Sequence, residues 1–125
     1  MWDLAEGMQL IRRFWDVAYE LDPASRALDE GPAYPLCRPE PLRALFAGLD
    51  GLVVDDVTVP TTFRDFADYW EPFLGDVGPA PRYVASLDPA ARARLREALR
   101  AALPAEPDGS IRLTARAWAV RGTVA

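Results

Sequence analysis

Only two stretches of this chain read as β-strands, and that scarcity limits its possible folds more than any other feature. Leu52 to Val59 is rich in valine and is stopped by Pro60. Ile111 to Val120 alternates at first, with Ile111, Leu113 and Ala115 set against Arg112, Thr114 and Arg116. From Ala117 to Val120 it becomes continuously apolar, the pattern of a strand covered on both faces. Two strands make a marginal sheet by themselves, so they need cover from helices or from further strands.

The helical signals are more numerous. Leu4 to Leu21 carries one row of Leu4, Met8, Ile11, Trp15 and Ala18, and a neighbouring row of Leu10, Phe14, Val17 and Leu21. Glu6, Gln9, Arg12, Arg13, Asp16 and Glu20 fall on the other side. The apolar arc covers roughly half the helix, which calls for a large packing surface. Asp22-Pro23 and Asp88-Pro89 share one helix-start device, a capping Asp followed by Pro at the first helical position. Asp29 to Pro39 reads as a loop. Leu42, Leu45, Phe46 and Leu49 give a short amphipathic helix ended by Gly48 and Gly51. Thr62 and Asp65 have capping-box spacing ahead of Phe63, Phe66, Tyr69, Trp70 and Phe73. Asp88 to Leu103 is an Arg-rich helix with Ala91, Leu95, Leu99 and Ala102 inward. The expectation is one α/β domain over residues 1–125, with about four or five helices and a helical insertion at about 60–105.

Composition removes whole classes of chemistry. The 125 residues include no histidine and one cysteine, Cys37, so His-based acid–base work, intrachain disulfides and Cys-cluster zinc sites are out of reach. All 14 basic residues are arginine, which excludes lysine Schiff-base chemistry and a P-loop. A net charge of -5 argues against nucleic-acid binding. No apolar run approaches the ~18 residues of a membrane span, and the N-terminus lacks a signal-peptide pattern, so a cytoplasmic location is expected.

What remains is weakly specific. The aromatic stripe from Phe63 to Phe73 suits a hydrophobic lid over a small substrate, although core packing is the favoured reading. Arg92, Arg96 and Arg100 share a helix face that reads as solvated, with Glu97 nearby. Asp55-Asp56 reads as strand-edge charge, not as an acid–base pair. Gly75-Asp76-Val77-Gly78 follows a helix instead of a strand and lacks a phosphate-loop fingerprint. Cys37 has no His or Lys beside it to activate the thiol, and Glu40 suits the first turn of a helix. No residue is assigned as catalytic, cofactor-binding or metal-ligating.

Whole phrases nevertheless carry a resemblance. Trp2-Asp3-Leu4-Ala5-Glu6-Gly7-Met8 and Arg13-Phe14-Trp15-Asp16 resemble the stretch after the fifth strand of class I S-adenosylmethionine-dependent methyltransferases. The group is that of methyltransferase type 11, or ubiquinone/menaquinone-biosynthesis-like enzymes. Pro35-Leu36-Cys37-Arg38-Pro39-Glu40-Pro41-Leu42 and Ala44-Leu45-Phe46 resemble the helix before the sixth strand. Val59-Pro60-Thr61, Phe66 to Gly75 and Gly78 to Pro81 are similar to an inserted helical element, and Leu113 to Val120 to the seventh strand.

The resemblance implies the C-terminal half of a Rossmann-like methyltransferase, with a two-stranded antiparallel remnant of its sheet. In the intact enzyme S-adenosylmethionine would donate a methyl group to a small-molecule acceptor. The cofactor loop of the family, acidic-x-Gly-x-Gly, has no counterpart here, so this chain alone is expected not to bind cofactor and to be inactive. The acceptor pocket would draw on Trp2 and Asp3 at the exit of strand five, and on Trp70, Phe73 and Tyr83 in the lid. Without strand five, the seventh strand would show an unpaired apolar edge. Met1 stands where relatives carry Val, so an internal GTG start codon is expected. The other reading is a non-enzymatic interaction module, forming a homodimer or binding a partner through that edge.

Overall fold

The computed structural model describes residues 1–125 as a mixed α/β fold with six α-helices and one two-stranded antiparallel sheet. The helices are α1 (Gln9–Leu21), α2 (Glu30–Ala33), α3 (Pro39–Leu45), α4 (Phe66–Trp70), α5 (Pro79–Ser86) and α6 (Pro89–Ala102). The strands are β1 (Asp50–Phe63) and β2 (Ile111–Thr123). Short 3-10 turns at Pro23–Leu28, Pro35–Cys37 and Glu71–Leu74 complete the chain. No helix is long and apolar enough to cross a membrane.

β1 and β2 form a long ribbon in register from Val53 opposite Arg121 to Phe63 opposite Ile111. β1 runs past Pro60, which the sequence pattern takes as its end. Pro60 stands opposite Thr114, whose N–H turns away from β1 to the side-chain oxygen of Gln9 at 2.8 Å. This is a non-hydrogen-bonded pair, so the ring nitrogen of Pro60 faces the open edge and costs the ladder nothing.

The chain start is not helical. Residues 1–8 lie antiparallel along the other side of β2, with bridges from Trp2 to Ala117 and from Met8 to Ala115. Met1 O accepts the Trp118 N–H at 2.7 Å, and Gly7 O accepts the Arg116 N–H at 3.0 Å. Helix α1 therefore begins at Gln9, not Leu4. Gly7 is required at this crossing, because a Cβ there would lie 2.5 Å from the Cβ of Arg116. The β2 edge expected to be bare is thus partly covered, and is open only beyond Trp118.

The core gathers on one end of the ribbon. Phe14, Trp15, Val17 and Ala18 of α1 pack with Phe66, Tyr69, Trp70, Phe73, Leu95, Leu99, Ile111 and Leu113. Phe14 stacks on Phe73 with centroids 4.6 Å apart. The aromatic stripe is core, as favoured from its spacing. Its helix starts later than the pattern suggests: Asp65, not Thr62, is the cap, accepting from Asp68 N at 2.8 Å, and Phe63 belongs to β1. Asp22 and Asp88 cap as expected, accepting from Ala24 N at 3.2 Å and Ala91 N at 2.7 Å. The expected loop at 29–39 folds into α2 and a 3-10 turn, because Asp29 accepts from Gly31 N at 2.9 Å and starts a helical turn there.

The other end of the ribbon is open. Trp2, Val57 and Val59 share one face with Ala117 and are 51%, 53% and 45% exposed. Ala117 to Val120, expected to be covered on both faces, is instead half-buried to exposed, because α3 meets that end only on the Val54 side, where Arg43 donates to Val54 O at 3.3 Å, and the Val57 face stays uncovered. On α3 only Leu42 is buried, while Leu45 is 59% exposed.

Candidate functional site

The sequence-derived pocket residues do not converge on one cavity. Trp2 is exposed beside β2, and Asp3 is buried and paired with Arg116. Trp70 lies in the core. Tyr83 faces a cleft between α1 and α6 and donates to Asp22 Oδ2 at 2.9 Å. Burial, with that hydrogen bond, pushes the Tyr83 phenol up to about 12. Phe73 alone of the five reaches the largest apolar cavity, of about 370 Å³.

That cavity is built where several elements meet. Leu10 and Ile11 come from α1, Thr61 and Phe63 from β1, Tyr69 from α4, and Pro72 and Phe73 from the following turn. Val77 to Pro81 lines the remaining, open side, where Val77 is exposed. Gly78, at φ 96°, turns the chain into α5 so that Pro79 and Pro81 meet the opening. The rings interlock: Phe63 meets Tyr69 edge-on at 5.3 Å, and Tyr69 lies 5.2 Å from Phe73. Tyr69 donates its hydroxyl to Leu10 O at 2.8 Å, and burial raises its pKa, so it stays a neutral donor.

Glu30 is the single charged residue in the wall. It is 8% exposed, and its Oε2 accepts from Trp15 Nε1 at 2.5 Å. Asp29, one residue earlier, turns the opposite way and pairs with Arg12. Burial works against the Arg12 charge, but the hydrogen bonds and charges of Asp29 and Asp16 outweigh it and hold the guanidinium pKa above its usual value. Alternation within one turn thus gives Asp29 a cation and Glu30 an apolar chamber. Glu30 falls in a segment, Asp29 to Pro39, whose sequence pattern reads as loop. Its signal is faint: an acid following a capping Asp and preceding Gly-Pro.

The remaining sequence candidates settle into structural roles. Asp55 and Asp56 are exposed on β1. Cys37 is fully buried, its thiol donating to Gly31 O at 3.6 Å. Arg96 and Arg100 both contact Glu97 and lie over the Phe66 ring at 5.3 and 4.8 Å, so their face is partly engaged. Glu40 occupies the first turn of α3.

An apolar chamber with one buried carboxylate and one buried phenol can hold a small organic molecule and orient it by a polar contact. Comparison with protein-family models, curated proteins and solved structures finds no match.

Proposed function

We propose that this chain is the C-terminal part of an S-adenosylmethionine-dependent methyltransferase of Rossmann-like fold, acting on a small-molecule acceptor. The observation that carries the reading is the placement of β2, flanked by residues 1–8 on one side and β1 on the other, antiparallel to both. The resemblance sets an antiparallel seventh strand beside the fifth, and residues 1–8, which resemble the chain just past strand five, lie along that edge of β2. The open face at Trp2, Val57 and Val59 fits a sheet face that further helices would cover. The aromatic chamber beside Phe73 would serve as part of the acceptor pocket. Methyl transfer of this kind relies on proximity and orientation, and no general base is assigned.

The test is to translate the genomic sequence upstream in frame. An acidic-x-Gly-x-Gly segment within ~150 codons, about one domain of chain, is the expected result, and its absence refutes the proposal. Calorimetry of the purified chain with S-adenosylmethionine adds a second check: about micromolar affinity would refute an incomplete cofactor site.

The interaction-module reading draws on a separate observation, the open β2 edge beyond Trp118 beside exposed Val57. A second copy pairing there would form a dimer by strand addition. Light scattering distinguishes the two, since a stable monomer at all concentrations rules out edge pairing.

A further inference from the structure

We propose that the chamber walled by Phe63, Tyr69 and Phe73 is a binding site for a compact organic ammonium, anchored by Glu30. The inference concerns binding alone. It would name the class of acceptor only if the methyltransferase reading holds, and it can fail independently of that reading.

A carboxylate buried this deeply ordinarily has a cation against it, because removing a charge from water costs far more than one hydrogen bond returns. Glu30 has none. No arginine, and not the N-terminus, lies within 4.0 Å of its oxygens, although the chain carries 14 basic residues. Arg12, which reaches the adjacent Asp29, is committed to Asp29 and Asp16, and Arg38 donates to Gly31 O. Oε2 is held by the Trp15 indole, while Oε1 makes no hydrogen bond in the protein and is not sealed away.

The rest of the wall suits a cation. It contains no basic side chain. Phe63, Tyr69 and Phe73 line it, and aromatic rings attract a cation held over a free face. Proline and leucine surfaces would take an apolar body. A carboxylate or phosphate ligand would face Glu30 without a counter-charge, so anions are rejected by the same arrangement. The volume of about 370 Å³ lies at the small end for ligand sites, which limits the occupant to a compact molecule.

Three near-isosteric probes test the claim on the intact chain: phenethylammonium, 2-phenylethanol and 3-phenylpropanoate, titrated by NMR or calorimetry. Phenethylammonium should bind at least about tenfold tighter than the alcohol, and the anion weakest. Glu30→Gln keeps the acceptor for Trp15 and should reduce the ammonium to the affinity of the alcohol, leaving the alcohol unchanged. Equal binding of the three probes to the unaltered protein overturns the proposal, as does no ammonium binding at about 10 mM. So does a Glu30→Gln variant that is folded and still prefers the ammonium. The probe series needs no variant, so a failure of Glu30→Gln to fold does not rescue the claim.

Discussion

Arg116 of β2 grips the carboxylate of Asp3 with two nitrogens, Nη2 at 2.6 Å and Nε at 2.8 Å from Oδ2. The other oxygen, Oδ1, accepts the Glu6 N–H at 3.0 Å. Asp3 is 2% exposed, so this carboxylate pins residues 1–8 against the sheet. Asp3→Ala removes the acceptor of a charged donor and of a turn N–H together. A loss of about 2–3 kcal/mol is expected in denaturant unfolding. Hydrogen exchange should rise first at the Arg116 and Trp118 amides, which the same segment accepts. Unchanged protection at those two amides would show that the segment docks without the pair.

The largest packing unit is legible in the sequence, and for a clear reason. The 3.6-residue spacing of Phe14, Val17 and Ala18 has one solution, a helix with that face inward, and α1 supplies it. Its first turn was not legible. Leu4 and Met8 keep the helical spacing, but Arg116 and β2 compete for the same backbone, and pairing across more than a hundred residues leaves no local mark. Pro60 misled for a related reason, since a proline is excluded from a ladder only where its nitrogen faces a partner. Glu30 was invisible because its role depends on Trp15 and Phe73 arriving from distant segments.

Phe14 ties α1 to the turn after α4 through its stack on Phe73, and it meets Trp15 and Tyr83 edge-on at 5.0 and 6.3 Å. It is fully buried. Phe14→Ala should cost about 3–5 kcal/mol, the range for truncating a buried aromatic ring with incomplete collapse of the cavity. Chemical denaturation measures it. A cost below about 1 kcal/mol would mean that the core closes over the gap.

Val57 and Pro60 should act in opposite directions on any self-association through the ribbon. Val57 presents apolar surface on the open face, while Pro60 removes an N–H from the outer edge of β1. Val57→Lys should leave stability within about 0.5 kcal/mol and lower any concentration-dependent mass seen by light scattering. Pro60→Val should raise it, by restoring an edge donor. Identical masses for both variants and the parent would exclude this part of the ribbon as an adhesive surface.

Two of the four tyrosines, Tyr69 and Tyr83, should limit stability at alkaline pH. Burial, then the hydrogen bond and charge of Asp22, raises the Tyr83 phenol to about 12, and burial also raises Tyr69. The folded protein keeps protons that the unfolded chain releases near pH 10, so the neutral phenols favour folding. Their contribution is complete below about pH 10 and is lost as pH climbs through the folded value. Unfolding free energy should therefore fall between about pH 10 and 12, with phenolate absorbance from these two tyrosines appearing together with loss of structure. Tyr83→Phe loses the bond to Asp22, about 1 kcal/mol at neutral pH, and should show a shallower alkaline decline. An equally steep decline in that variant would assign the alkaline limit to groups other than Tyr83.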